Sequence, residues 1–392
     1  MLNPSKRNSF FIFGARGAGK STLLRSLFTV NEALWIDLLS PVEEQKYLLN
    51  PERLEQEWQQ NKKPWIVIDE VQKLPKLLDI VHRMIENDRV FFALTGSSAR
   101  KLKRGQANLL AGRAFTFHLF PLCVEELKDQ FDLKQALSFG TLPKINSFEF
   151  DADRVFFLNS YAQTYLKEEI LVEQILRKIE PFRKFLPVAA RSAGRPLNYA
   201  KIGRDSGVDP KSVDRYFSIL QDTLLGFFLD SYHASVRKKQ RAAPKFYFFD
   251  VGVQRSLAQM LDVEVNPKTS YYGEIFESFL ISEIHRIEQY HQKGFELSYL
   301  SDGANLEIDL LIEKAGRVIA LVEIKSSEFV QSDSLRSLRA VANDFPDAAR
   351  FVLSQETVAR KTEDGIVIYP WREGLHAIVA CGSQQTHGAP SD

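Results

Sequence analysis

The sequence predicts an α/β protein: an N-terminal doubly wound parallel sheet, a helical middle module and a second α/β module towards the C-terminal end. Three observations carry this reading. The apolar run Phe10-Phe11-Ile12-Phe13 passes into a glycine-rich stretch and then into the helical segment Thr22-Leu23-Leu24-Arg25-Ser26-Leu27. A second apolar run, Trp65-Ile66-Val67-Ile68, closes on Asp69-Glu70, the pattern of a parallel strand buried on both faces whose carboxyl end meets a ligand. Two further apolar runs, Leu306 to Ile312 and Val318 to Lys325, carry charges in their interiors, which buried strands tolerate only when those charges have partners or a use.

A chain of 392 residues exceeds one ordinary core, and about 150 residues per domain suggests two or three. With 51 basic and 50 acidic side chains, bulk charge selects no partner, so any nucleic-acid surface must come from local clustering. Cys123 and Cys381 form neither a disulfide framework nor a zinc motif, which fits a reducing compartment. The first strand begins after about ten residues, too few for a signal peptide. Nor is there an apolar run of the ~18 residues that a membrane span needs. The expectation is a soluble cytoplasmic protein without membrane association.

Gly14-Ala15-Arg16-Gly17-Ala18-Gly19-Lys20-Ser21, between strand and helix, has the P-loop spacing. The stretch from Gly14 to Thr22 is expected to hold ATP. Its glycines let backbone N–H groups curl around the phosphates, and the helix start adds about half a positive charge there. Lys20 would meet the β- and γ-phosphates, and the Ser21 hydroxyl would ligate Mg²⁺. Asp69 would hold the same ion through water, and Glu70 would orient and deprotonate the attacking water.

The run Arg89 to Ser98 reads as another strand ending in a small polar turn. Ser97 is the first choice for a sensor of the γ-phosphate, with Thr95 second. Arg100, Lys101, Lys103, Arg104 and Arg113 follow with no acid among them. Ring-forming ATPases place an arginine against a neighbour's γ-phosphate after such a turn, and this can be worth about 10³-fold or more in rate. Arg113 is the first candidate and Arg104 the second.

From Arg154 to about Ile179, apolar spacing fits one amphipathic helix. Leu197 to Val208 then reads as a short helix closed by Gly207, and Asp209 caps a second with Pro210 at its first position. In that second helix Val213, Tyr216, Phe217 and Leu220 fall on one face. This is a helix-turn-helix, and Leu224 to Tyr232 with Lys245 to Phe249 would make it winged. Ten Lys or Arg against four acids between residues 177 and 217 suit phosphate contacts with DNA.

Glu274 and Glu277 lie in an amphipathic helix from Gly273 to Arg286, ahead of the two charged strands joined at Ala315-Gly316. Asp309, Glu323 and Lys325 share one face only if the pairing sum is even, which demands an odd loop or a bulge. In that register Asp309 opposes Glu323, with Lys325 one step along, and Glu277 could approach from the helix. Two or three converging carboxylates, Glu277, Asp309 and Glu323, would bind one or two Mg²⁺ or Mn²⁺ ions, and the lysine could position or activate water for phosphodiester attack.

The order of motifs, Gly-Ala-Arg-Gly-Ala-Gly-Lys-Ser, Val-Ile-Asp-Glu-Val-Gln-Lys-Leu-Pro, Leu-Thr-Gly-Ser-Ser and Leu-Ala-Gly-Arg, resembles a family of prokaryotic AAA-type ATPases. The C-terminal half of that family is a domain of unknown function combining a winged helix with a PD-(D/E)XK restriction-endonuclease-like fold. Tyr161 to Ile170, Phe246 to Gly252, Glu274 to Phe279, Glu307-Ile308-Asp309 and Glu323-Ile324-Lys325 match that half. The resemblance implies an ATPase that assembles with neighbours and that is associated with nucleic acid. The expected organisation is a P-loop core over 1–120, a lid and helical linker over 121–180, a winged helix over 181–250, a nuclease-like module over 251–380 and a disordered tail over 381–392. The expected function is ATP-driven remodelling or cleavage of duplex or branched DNA by a homo-oligomer, ring-forming by expectation. The alternatives are an ATP-gated binding switch with a silent nuclease fold and, third, a small-molecule kinase.

Overall fold

A computed structural model describes residues 4, 6–97, 110, 112–165, 179–233, 243–303 and 306–381. Ser98, Arg100, Lys101, Lys103, Arg104, the helical stretch expected over 166–178 and the tail over 382–392 lie outside the described residues. The chain divides into two units: Met1–Leu122, Leu142–Glu149 and Phe217–Leu225 form one, and the remainder forms the other.

In the first unit β1 (Ser9–Phe13), β2 (Ala33–Asp37), β3 (Trp65–Asp69), β4 (Phe91–Gly96) and β5 (Ala114–His118) make one sheet in the order β2-β3-β4-β1-β5. Every pairing is parallel. Side chains alternate across a strand, and here each set has its own core. Phe10, Ile12, Trp65 and Val67 pack with Leu24 and Phe28 of the segment after β1. Phe11, Phe13, Ile66 and Ile68 pack with Tyr47, Leu54, Leu77 and Met84 on the other side. Helices α1 (Lys20–Leu27), α2 (Pro41–Leu49), α3 (Arg53–Asn61) and α4 (Leu77–Asp88) supply those partners. Covered on both faces, the sheet is doubly wound, and the chain leaves β1 at the point where strand order reverses, the crevice where such sheets bind ligands.

The second unit holds an eight-stranded mixed sheet in the order β12-β13-β11-β10-β9-β8-β6-β7. Its strands are β6 (Gly226–Ser231), β7 (Lys245–Phe248), β8 (Phe295–Ser301), β9 (Glu307–Lys314), β10 (Arg317–Ile324), β11 (Ala349–Ser354), β12 (Arg360–Lys361) and β13 (Val367–Pro370). The hairpin β6–β7, read from sequence as a wing, is the edge of this sheet, because β6 pairs in parallel with β8 at Asp230↔Ser298. The sheet thus crosses the boundary expected at residue 250. At Gly226 a Cβ would lie 2.4 Å from the Phe246 ring, so only glycine permits the approach of β6 to β7.

Two helices joined by a tight turn precede the sheet. Asn198 caps Tyr199–Ser206, Gly207 closes it in left-handed backbone (φ 68°), and the Asp209 carboxylate accepts from the Ser212 amide at 3.0 Å to start Pro210–Asp222. Val213, Tyr216, Phe217 and Leu220 are buried.

Most of the segment expected as a lid belongs to the second unit. A buried network holds it there. Glu283 accepts from the Val124 amide at 2.9 Å, Asp250 accepts from the Thr141 amide at 2.7 Å, and Arg286 donates to Glu283 at 2.7 Å, Thr141 Oγ1 at 3.1 Å and the Phe249 carbonyl at 2.6 Å. Among the described residues no helix is long and apolar enough to cross a membrane.

Candidate functional sites

The first site forms where β1, β3 and β4 end side by side. Gly14 N–H donates to the Gly96 carbonyl at 3.2 Å, and a Cβ at Gly14 would fall 2.4 Å from the Leu119 carbonyl oxygen. Gly17 and Gly19 hold φ of 77° and 97°, the left-handed geometry that turns consecutive amides inward as an anion-binding concavity. Ala15 and Ala18 are buried in the loop, while Arg16 and Thr22 are exposed at its rim. Lys20 opens α1 and is 5% exposed. Its ammonium donates to the Gly14 carbonyl at 2.8 Å and the Ala15 carbonyl at 3.3 Å, and lies 3.8 Å from Glu70 Oε1.

Asp69 ends β3. Its Oδ2 accepts from the Ser21 hydroxyl at 2.5 Å, and its Oδ1 accepts from the Thr95 hydroxyl. Thr95 Oγ1 in turn accepts from the Glu70 amide at 3.0 Å. Glu70 stands in left-handed backbone (φ 60°), an uncommon place for a non-glycine residue and one found at functional sites. One hydroxyl of β4 therefore orients both acids. A hydroxyl and a carboxylate oxygen in contact are the hard donors that Mg²⁺ prefers, so this pair fits the ion, and Lys20 beside them fits a phosphate chain. Ser97 accepts from Gln72 Nε2 at 3.0 Å, and Gln72 also donates to Glu70 Oε2.

Arg113 occupies a different end of the sheet. It directly precedes β5, whose first residue pairs with Ser9 at the start of β1, whereas the P-loop follows the end of β1. Its guanidinium pairs with Glu86. Arg113 therefore does not reach the phosphate cradle of its own chain.

The second site lies within the C-terminal sheet. Between Val318 and Ala320 a β-bulge shifts the β9–β10 register, so that Val318 pairs with Glu313 but Val322 with Leu310. The next step along sets Glu323 against Asp309. The bulge thus supplies the even pairing sum. Asp309 Oδ2 accepts from the Ile324 amide at 2.7 Å, and Lys325 Nζ donates to Glu323 Oε2 at 2.5 Å. Glu323 Oε1 is buried with no hydrogen-bond partner among the described residues, an orphaned carboxyl oxygen that a cation displacing the carboxyl proton would satisfy. Burial and the Asp309 charge hold the Glu323 carboxyl up, to about 8, with Lys325 offsetting only part of this.

Glu277 lies on the helix Ser270–His291. It accepts from the Tyr247 hydroxyl at 2.8 Å and lies 3.6 Å from the Lys245 ammonium, which also pairs with Glu307 at 2.6 Å. Burial and the Asp309 charge raise it to about 7. Among the described residues no three His, Cys, Asp or Glu side chains gather as a metal-holding set. Asp309 and Glu323 face each other across the hairpin, and the Asp309 charge acts on Glu277 as it does on Glu323.

Sequence reading singled out neither Gln72 nor the Lys245–Tyr247 pair as site residues. The available signal was a polar residue in each apolar setting: Gln72 two places beyond Glu70, and Lys245 opening the run Phe246-Tyr247-Phe248-Phe249.

Residues 6–128 match the family model of an AAA domain, and residues 130–264 and 272–373 match two domains of unknown function, DUF8612 and DUF4143. An AAA-type P-loop ATPase domain thus occupies the N-terminal third, with the domain of unknown function near the C-terminal end. An uncharacterized protein of Mycobacterium tuberculosis is 26% identical over 357 residues, covering 88% of this chain and 78% of its own. An uncharacterized protein of Methanocaldococcus jannaschii is 20% identical over 431 residues, covering 95% of this chain and 85% of its own. Among solved structures, the replication initiator DnaA bound to AMPPCP and single-stranded DNA aligns over 55% of this chain and 82% of that one, at 14% identity and a TM-score of 0.30.

Proposed function

We propose that this chain is an ATP-hydrolysing, DNA-associated protein whose ATPase cycle serves a C-terminal half that remodels or cleaves duplex or branched DNA. The observation that carries the DNA-cutting part is the bulged register of β9 and β10, which unites Asp309, Glu323 and Lys325 around an unpaired, buried carboxylate oxygen.

In the N-terminal domain, Gly14, Ala15, Arg16, Gly17, Ala18, Gly19 and Thr22 shape the phosphate cradle, and Lys20 binds the β- and γ-phosphates of ATP. Ser21 and Asp69 would hold Mg²⁺, which supplies charge neutralisation to the phosphates. Glu70 accepts the proton of the attacking water, and Thr95 keeps its backbone in place. Ser97 acts as sensor through Gln72, and Arg113 completes the site of a neighbouring copy in a homo-oligomer, by proposal a ring. In the C-terminal half, Asp309 and Glu323 would hold one Mg²⁺ or Mn²⁺ ion, which supplies charge neutralisation at the scissile phosphate. Lys325 orients water there, and Glu277 with Lys245 lines its flank. The basic helix-turn-helix presents DNA as a winged helix would.

Cleavage of linear, nicked and branched DNA in Mg²⁺ or Mn²⁺ tests this reading. Wild type should cut at least one substrate and Asp309→Ala none; equal inertness on every substrate removes the nuclease role. A second reading, an ATP-gated binding switch with a silent nuclease fold, is favoured by the pairing of Glu277 with Lys245 and of Glu323 with Lys325, which already balances charge there.

A further inference from the structure

Gln72 is 2% exposed, and both ends of its amide are informative. The amino group donates to Glu70 Oε2 and to Ser97 Oγ. The carbonyl oxygen is buried with no partner among the described residues. Turning the amide over would aim that carbonyl at the Glu70 carboxylate, so the observed orientation is fixed by what the amino group holds. Space for the carbonyl comes from Gly96, where a Cβ would lie 2.8 Å from it. Leaving a buried carbonyl unpaired is costly, and the cost goes with a grip on one acid.

Glu70 is thus held twice from this side: its amide by Thr95 of β4, and its carboxylate by way of Gln72 to Ser97, the residue after β4. The other carboxylate oxygen lies 3.8 Å from the Lys20 ammonium. A triphosphate in the cradle draws that ammonium to its own oxygens, and the grip left on Glu70 is then the Gln72 amide.

We propose that Gln72 is the positioning residue that keeps the Glu70 carboxylate aimed at the attacking water once ATP has taken Lys20. This rests on the reading of the N-terminal cradle as an ATP-hydrolysing site. Misplacing a reacting group by an ångström can cost about 10²-fold in rate, so the effect belongs in kcat.

The test compares ATP turnover, affinity for a fluorescent ATP analogue and melting temperature for the full chain and three variants: Gln72→Ala, Glu70→Gln and the double substitution. Gln72→Ala should lower kcat by about 10- to 100-fold while KM and analogue affinity stay within about two-fold, and it should cost nothing further when added to Glu70→Gln. An unchanged kcat in Gln72→Ala overturns the proposal. So does a loss shared by affinity and melting temperature, or a full additional loss in the double variant. A wild type that binds the analogue yet never turns over ATP overturns the ATPase reading and this role together, whereas an active wild type with an indifferent Gln72→Ala overturns this role alone.

Discussion

Ser21 donates its hydroxyl hydrogen bond to Asp69 at 2.5 Å across 48 residues of sequence. The contact joins the first turn of α1 to the end of β3, and Lys20, one residue earlier, lies within 3.8 Å of Glu70. The two segments proposed to hold a magnesium nucleotide therefore adjoin in the fold.

Lys20 and Glu70 separate binding from chemistry. Lys20→Ala should weaken ATP binding about ten-fold or more, since it removes the buried charge that faces the phosphates. Glu70→Gln should bind ATP as wild type does while turnover falls by about 10²-fold or more, the usual worth of a positioned general base. Isothermal titration with ATP and steady-state turnover on both variants check this. Retained turnover in Glu70→Gln would reassign the base.

Arg113 lies at the opposite end of β5 from its own P-loop, so its effect should appear only between copies. Arg113→Ala and Lys20→Ala should each be nearly inactive, and mixing the two should restore part of the turnover, because some interfaces then pair an intact cradle with an intact arginine. If Arg113→Ala turns over ATP as wild type does, its partly exposed pair with Glu86 is a surface contact worth at most about 1 kcal/mol.

Arg286 is the cation among the buried carboxylates Glu283 and Asp250. Its replacement by methionine leaves both without that charge, and breaking a buried pair in this way costs about 3–5 kcal/mol. Denaturant unfolding of the full chain should show the loss, followed by release of residues 123–141 in hydrogen exchange. Full protection of that segment in Arg286→Met would contradict the clamp.

The raised carboxyls set a pH dependence. Glu323 and Glu277 move from 4.5 to about 8 and about 7, so the folded chain holds protons that the unfolded chain has released. Stability in EDTA should therefore fall as pH rises from about 4.5 through 8. Glu323→Gln should flatten the upper part of the curve. A melting temperature that climbs across this interval in EDTA, with the climb lost in Glu323→Gln, would contradict the assignment.

How much of this was legible beforehand follows from where each partner sits in sequence. The P-loop and Asp69-Glu70 are each a contiguous run, and apolar strands lead straight into them, so residue type and spacing sufficed. The pairing of Asp309 with Glu323 could be stated only as a parity condition, since no residue type at Val318–Ala320 marks the bulge that shifts the register there. Lys245 and Gln72 escaped because each has a remote partner: Glu307 lies 62 residues from Lys245, and Ser97, the second acceptor of Gln72, lies 25 away. The union of β6 with β8 was hidden for the same reason, since a strand carries no mark of which distant edge it will join. Arg113 was placed by its neighbours in sequence, which do not reveal which end of the sheet they occupy.

The central claim is that ATP turnover in the N-terminal domain serves a DNA-handling half, and the most direct measurement is the ATP hydrolysis rate of the full chain with and without linear, nicked and branched DNA. At least one of these DNAs should raise turnover several-fold in wild type and leave Glu70→Gln silent. Hydrolysis indifferent to every DNA, by a chain that binds none of them, would contradict it.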